Sequence, residues 1–244
     1  MRFDIITIFP RIFDSYFGES ILRRAQKRGL VKIVTHDLRK YTKDKHRKVD
    51  DTPYGGGAGM VMMAEPILRA VEAVLKSGRK TRKTLVVLFS AKGKSFNQKN
   101  AYQLAQKYNR IVFVTGRYEG IDERAAIILK REVTKSYAVD FAELSIGPYV
   151  LTDGDVAAMV VVSAVARLIP GVIRTESLAE ESHWSTLLKS ELRTINYKPE
   201  TTLEYPHYTR PETLVYKNKK YRVPKVLLSG NHANITKWRN SKTK

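Results

Sequence analysis

Short runs of apolar residues alternate along the chain with stretches in which apolar residues recur every three or four positions. The runs fit strands buried on both faces, and the longer period fits amphipathic helices. Strands are expected at residues 3–9, 31–35, 85–89, 111–115 and 132–137. Helices are expected near 11–17, 21–28, 66–76, 98–107 and 122–129. Strands that alternate with helices predict an α/β fold on a mostly parallel sheet. The apolar stretch 156–168 is too long for a strand and predicts a buried helix, which Pro170-Gly171 ends.

Two regions break this rhythm. Residues 38–60 have weak periodicity and carry Arg39, Lys40, Lys43, Lys45, Arg47 and Lys48 with Asp44, Asp50 and Asp51. A loop of that length inside a domain is usually functional or mobile. Periodicity fades again through 174–205, which places a linker between a domain at 1–173 and a smaller one at 206–244. The smaller domain is expected to hold a short strand at 226–228 and a helix at 231–239.

In open α/β sheets ligands sit beyond the carboxyl ends of the strands. Three such ends are rich in residues that let a ligand approach the backbone: Ser90-Ala91-Lys92-Gly93, the stretch from Thr115 and Gly116 through Arg117, Tyr118, Glu119 and Gly120 to Arg124, and Leu144-Ser145-Ile146-Gly147-Pro148-Tyr149-Val150-Leu151. Glycine there frees N–H and C=O groups to meet a base edge or a ribose, and Tyr118 or Tyr149 could supply an apolar wall. Ordinary tight turns are the plainer alternative. Gly93-Lys94-Ser95 is not a phosphate-binding loop, because Leu88 stands where its first glycine must be. The five-residue run Gly55-Gly56-Gly57-Ala58-Gly59 follows a charged loop rather than a strand, so it is not the dinucleotide fingerprint.

Charge and composition narrow the partner. The chain's 244 residues carry a formal net charge of +20, which favours a polyanion through counterion release. An anionic membrane surface would be attracted too, but no apolar run reaches the roughly 20 residues needed to span a bilayer. The start, Met1-Arg2-Phe3-Asp4, reads as a core strand rather than a signal peptide. With no cysteine there are no disulfides and no thiolate sites, and the cytoplasm is the simplest compartment. His36, His46, His183, His207 and His232 show no metal-ligand spacing, so no metal held by protein side chains alone is expected. Aromatic and basic residues interleave at Tyr205-Pro206-His207-Tyr208-Thr209-Arg210-Pro211, a pattern suited to stacking on splayed-out bases and equally to a rigid linker.

Six stretches, in order along the chain, resemble the bacterial tRNA (guanine-N1-)-methyltransferases of the TrmD type, members of the SPOUT superfamily. They are residues 47–60, 116–124, Ser145-Ile146-Gly147, Ile169-Pro170-Gly171-Val172, 206–211 and 227–232. The resemblance implies a deep trefoil knot, an exception to the rule against threaded connections, together with a small, mainly helical C-terminal domain that binds tRNA. It also implies a homodimer with the active site at its interface. The implied reaction moves a methyl group from S-adenosylmethionine to N1 of the guanine 3′ of the anticodon, tRNA position 37. Magnesium would assist without a dedicated protein site.

Carried over residue by residue, the cofactor positions are Ser90, Ala91, Gly116, Tyr118, Glu119, Gly120, Ser145, Ile146, Gly147, Pro148, Tyr149, Val150, Leu151 and Gly154, and Arg117 and Glu119 are expected to face the cofactor and the target base. Guanine N1 carries a proton at neutral pH, so a base must remove it, and a cation must meet the charge that builds on O6. Arg167 matches the family's arginine for the second task. Where the family has its aspartate base this chain has Ser182, preceded by Glu180 and Glu181, which makes Glu181 and Ser182 the candidates for the first. The family's Gly-Gly-Glu is here Asp153-Gly154-Asp155, which is expected to put a charged side chain where backbone normally meets the cofactor. A non-catalytic tRNA-binding relative is the alternative that Ser182 and Asp153 raise.

Overall fold

Apolar runs at the centre of three strands, residues 5–6, 85–89 and 111–114, are buried, and the pairing of those strands builds the sheet. The computed structural model describes residues 1–77, 83–174 and 205–242. The chain divides into two units, Met1–Thr175 and Glu176–Lys244. In the first, the strands are β1 (Arg2–Thr7), β2 (Lys32–Asp37), β3 (Asp50–Asp51), β4 (Val61–Met62), β5 (Thr84–Ser95), β6 (Arg110–Val114) and β7 (Asp140–Ser145). Its helices are α1 (Asp14–Phe17), α2 (Ser20–Lys27), α3 (Ala64–Lys76), α4 (Gln98–Lys107), α5 (Glu123–Ile128), α6 (Thr134–Tyr137) and α7 (Asp155–Ala166).

The main sheet is five-stranded and wholly parallel, in the order β2-β1-β6-β5-β7. This is the expected α/β class. Strands β1, β6 and β5 lie inside it, which is why Ile5, Val87, Ile111, Val112 and Phe113 are all fully buried. Phe113 stacks on Phe3 of one neighbouring strand and on Phe89 of the other, with ring centroids 6.1 and 5.5 Å apart. Helix α3 lays Ile67, Ala70, Val71 and Val74 on the sheet, one stripe at helical spacing. Helix α7 buries Ala158, Val161, Val162 and Val165 and leaves Val156 and Val160 about two-fifths exposed.

One polar cluster sits within this apolar frame. Asp4 of β1 is fully buried. It accepts hydrogen bonds from Arg110 Nε at 2.7 Å and from Arg2 Nε at 2.8 Å, and pairs with His36 Nε2 at 2.8 Å. Burial pushes its carboxyl up, but the hydrogen bonds with His36, Arg2 and Arg110 outweigh that and hold it well below the usual carboxylate range.

Two expectations are corrected. Residues 132–137, read as a strand, are helical: α5 runs through a π turn at Leu129–Val133 into α6. A short run of mixed residues carries no decisive period, and here the preceding helix simply continues. The missing strand comes later, at β7. Residues 226–228 are likewise helical, within α8 (Lys225–Leu228), which starts after Pro224. The second unit also holds a hairpin, β8 (Thr213–Tyr216) and β9 (Lys219–Arg222), before α8 and α9 (His232–Lys242). Lys217 and Asn218 join its strands with positive φ at both residues, the geometry of a two-residue hairpin turn.

Candidate functional site

The sheet order sets β6, β5 and β7 side by side, so the three loops at their carboxyl ends meet at one edge. Direct contacts then tie them together. Gly154 N–H donates to the Gly116 carbonyl at 2.7 Å, joining the loop after β7 to the loop after β6. A Cβ at Gly154 would lie 2.8 Å from Gly116 N, so no side chain fits there. Lys92, within the register irregularity of β5 between Phe89 and Lys94, pairs with Glu123 at 2.5 Å. Gly93 presses against the β7 backbone, where a Cβ would stand 2.7 Å from Leu144 N. Phe96 N–H donates to Ser145 O at 2.7 Å.

A fourth segment joins them, the end of the 47–60 stretch, which carries no dinucleotide fingerprint. Met62 N–H donates to Gly120 O, Asp122 N–H to Met62 O and Glu119 N–H to Met60 O, at 2.9, 2.9 and 3.0 Å. The end of the glycine-rich run, at Gly59, and the Met60–Met62 stretch after it therefore lie against the 115–124 loop. At Gly59 a Cβ would run into the Glu119 side chain, and φ is +82° there, so both space and backbone call for glycine. Its sequence signal was the run of glycines before Val61-Met62, which needed no preceding strand to be functional.

The expected cofactor residues fall on this edge. Ser90, Gly116, Gly120, Ser145, Ile146, Gly147 and Gly154 are half-buried, while Ala91, Tyr118, Glu119, Pro148, Tyr149, Val150 and Leu151 are exposed. Tyr118 holds a φ of +58°, which turns its half-exposed ring outward from the loop. Ser145 Oγ donates to Gly147 O at 3.1 Å, and the Tyr149 hydroxyl donates to Ile146 O at 3.1 Å. The Tyr149 ring covers Gly147 so closely that a Cβ there would run into it. The exposed Tyr118 and Tyr149 rings beside these close-packed loops suit a flat group such as the base of a nucleoside.

Two expectations about charge do not hold. Asp153 does not project into the site. Its side chain is buried, accepting from Asp155 N at 2.9 Å and Val156 N at 3.2 Å, which caps α7. Arg117 does not face outward either. Its guanidinium donates to Asp153 Oδ2 at 3.1 Å and lies 4.3 Å over the Phe9 ring, with Arg39 on the same ring at 5.7 Å. The expectation had it facing the cofactor and the target base; the buried Asp153 acceptor holds its guanidinium inward instead.

Asp155, also fully buried, has neither carboxylate oxygen in a hydrogen bond, and Arg117 Nε stands 3.8 Å away. Burial raises its carboxyl above the ordinary value; the nearby Thr115 and Thr7 hydroxyls ease this without reaching good hydrogen-bond geometry. Asp153 adds to the rise and Arg117 opposes it.

Arg167 is exposed and closes the carboxyl end of α7. With 12 residues in that helix, it lies roughly 18 Å along the axis from Gly154. Glu181 and Ser182 lie outside the described residues. Among the described residues, no three His, Asp or Glu side chains cluster as a metal site, and no helix is long and apolar enough to cross a membrane. His36 is engaged with Asp4, as a hydrogen-bonded histidine should be. In the 205–211 segment, Tyr205 lies under Arg239 at 4.7 Å and Tyr208 leans on Trp238 at 6.2 Å, so these rings pack within their own unit.

The family model described as tRNA (Guanine-1)-methyltransferase TrmD matches residues 1–244. Curated relatives carry the name tRNA (guanine-N(1)-)-methyltransferase. The one from Thermomicrobium roseum is 51% identical over 239 residues, covering 98% of this chain and 77% of the relative. The one from Chloroflexus aggregans is 48% identical, over 99% of this chain and 82% of the relative. That from Carboxydothermus hydrogenoformans is 44% identical, over 98% and 81%.

Proposed function

The chain belongs to the TrmD family of tRNA (guanine-1)-methyltransferases, and from that premise we propose that it transfers a methyl group from S-adenosylmethionine to N1 of the guanine at tRNA position 37, 3′ of the anticodon. The observation that carries this reading is the tie between Gly154 and Gly116, which sets the loops after β6 and β7 edge to edge.

The residues present fit the cofactor. Gly116, Tyr118, Glu119 and Gly120 would hold it from one loop, Ser145, Ile146, Gly147, Pro148, Tyr149, Val150, Leu151 and Gly154 from the second, and Ser90 and Ala91 from the third. When bound it supplies an electrophilic methyl group. The chain's own residues then have two tasks. Arg167 offsets the charge that builds on guanine O6, and Glu181, or Ser182 through a neighbouring group, takes the N1 proton. Magnesium enters only as an aid, without a dedicated protein site.

The deep trefoil knot belongs to the same reading, supported by the hydrogen-bonded, close-packed loops of the adjacent strands β6, β5 and β7. So does a homodimer with the active site at its interface. Two observations favour it: within one chain Arg167 stands a helix length from Gly154, and the exposed apolar residues Tyr149, Val150, Leu151, Val156 and Val160 border the loops. The second unit serves tRNA. Among its described residues nine Lys and Arg stand against one acidic side chain, Glu212.

The test is methyl transfer from labelled cofactor, with magnesium, to a tRNA transcript bearing guanine at the last anticodon position and at its 3′ neighbour. N1-methylguanine cannot pair normally, so reverse transcription should stop there. Labelled tRNA with no stop at that base, or no label at micromolar enzyme, would overturn the reading.

A further inference from the structure

Three of the four hydrogen bonds to the Asp153 carboxylate come from its own stretch of chain. Oδ1 accepts from the N–H groups of Asp155 and Val156, and Oδ2 accepts from the Thr152 hydroxyl at 3.1 Å. The fourth crosses to the other loop, from Arg117 Nη2 at 3.1 Å. The Arg117 and Asp153 side chains are only 26% and 5% exposed, so water screens the pair far less than a surface salt bridge.

Arg117 is held at several points. Its N–H meets Met62 Sδ at 3.1 Å, its carbonyl accepts from Gly120 N at 3.1 Å, and its guanidinium is shared between Asp153 and the Phe9 ring. Its Nε is buried without a hydrogen bond. Arg117 is therefore the first residue of the Arg117–Gly120 turn and also its anchor, and the residues that follow, Tyr118 and Glu119, are the exposed ones at the cofactor edge.

We propose that Asp153 is a positioning residue for the cofactor loop: through Arg117 it fixes the Tyr118–Gly120 turn against the end of α7. The inference rests on the cofactor reading above. A glycine at position 153 could accept nothing from Arg117, so the device belongs to sequences with an acceptor there. It also turns the departure at Asp153, expected from sequence to set a charge against the cofactor, into one that shapes its pocket. Gly154 N and Asp153 Oδ2 take hold of successive residues, Gly116 and Arg117, so the two loops are fastened at two adjacent points. Loss of the side-chain fastening leaves the backbone one and lets the turn pivot about it.

The experiment measures S-adenosylmethionine and S-adenosylhomocysteine binding by calorimetry, without tRNA, to the wild-type chain, Asp153→Asn, Arg117→Gln and the double variant, with a melting curve for each. Charged hydrogen bonds of this kind are worth about tenfold in affinity. Each single variant should therefore bind about tenfold more weakly, and the double variant no more weakly than the worse single one, because both remove the same fastening. At saturating cofactor and tRNA, kcat should stay within about threefold of wild type while the cofactor KM rises. A role confined to stability would lower the melting temperature without this split or this coupling. Wild-type affinity in folded Asp153→Asn and Arg117→Gln, or losses that multiply in the double variant, would overturn the proposal. Arg117→Gln leaves the α7 cap in place, so it decides the matter alone should Asp153→Asn fail to fold. A wild-type chain that binds neither compound sinks the cofactor reading itself, and this inference with it.

Discussion

Gly154 gives its N–H to the Gly116 carbonyl at 2.7 Å, and the space between the two residues is too small for a methyl group. Gly154→Ala would set its Cβ 2.8 Å from Gly116 N and 3.2 Å from Thr115 Cα, both backbone atoms that cannot swing aside. The substitution should part the loops. Cofactor affinity should fall by at least about tenfold, with a stability loss of about 1–3 kcal/mol, the usual range for overpacking. Calorimetry with S-adenosylhomocysteine and a urea melt check the two; wild-type affinity would show that the tie does not shape the pocket.

Arg167 stands a helix length from that tie within its own chain, so its removal should spare the cofactor. Arg167→Ala should lower kcat by at least about a hundredfold, the scale of losing a charge-stabilising donor. The cofactor dissociation constant should stay within about twofold. Unchanged turnover would remove Arg167 from the chemistry.

Glu181→Gln should cost more activity than Ser182→Ala, since a carboxylate can take a proton at neutral pH and a serine hydroxyl cannot without help. Single-turnover rates rank the two. The reverse order would assign the proton to Ser182.

Asp4 ties the pH dependence of folding to the sheet. Its folded pKa lies below the unfolded value near 3.9, so the native state binds fewer protons. Its contribution is then fully present above about pH 4 and is lost as pH falls through that value and below. Asp4→Asn should cost about 3–5 kcal/mol at pH 7, because it leaves Arg110 buried without its counter-charge. It should also flatten the acid limb of stability measured by urea melts between pH 3 and 7. A variant as acid-sensitive as wild type would place that limb elsewhere.

The hairpin offers a test of the tRNA partner. Strands β8 and β9 expose Leu214, Val215, Tyr216 and Tyr221 at 54% or more, beside Lys217, Lys219, Lys220 and Arg222. Each cation that meets a phosphate adds about 0.9 to the slope of log affinity against log salt. Changing Lys219, Lys220 and Arg222 together to Gln should reduce that slope by up to about 3 in filter-binding titrations. An unchanged slope would place the phosphate contacts on other basic residues.

The strands β1, β2, β5 and β6 and the helices α2, α3, α4 and α7 were legible in sequence, because a strand such as Ile111–Phe113 buried on both faces needs an unbroken apolar run, and α3 needs its stripe. The helical segments 132–137 and 226–228 were misread as strands: each is short, and local preference was too weak to show which neighbour it would join. The hairpin was missed because its turn, Lys217-Asn218, has no glycine to announce a positive φ.

The three glycine-bearing loops that opened the search for a site were visible as strand ends, and the family's motifs named their chemistry. Sequence by itself determined the α/β class, the basic surface and the residues available to a cofactor, since these follow from composition and period along one dimension. Only the tertiary structure decided that Gly59–Met62 lies against the 115–124 loop, that Asp153 turns inward, and that Arg117 follows it. Those outcomes depend on which strands become neighbours and on how a buried charge finds its partner. Such pairings join residues dozens of positions apart, and no local pattern in the chain records them.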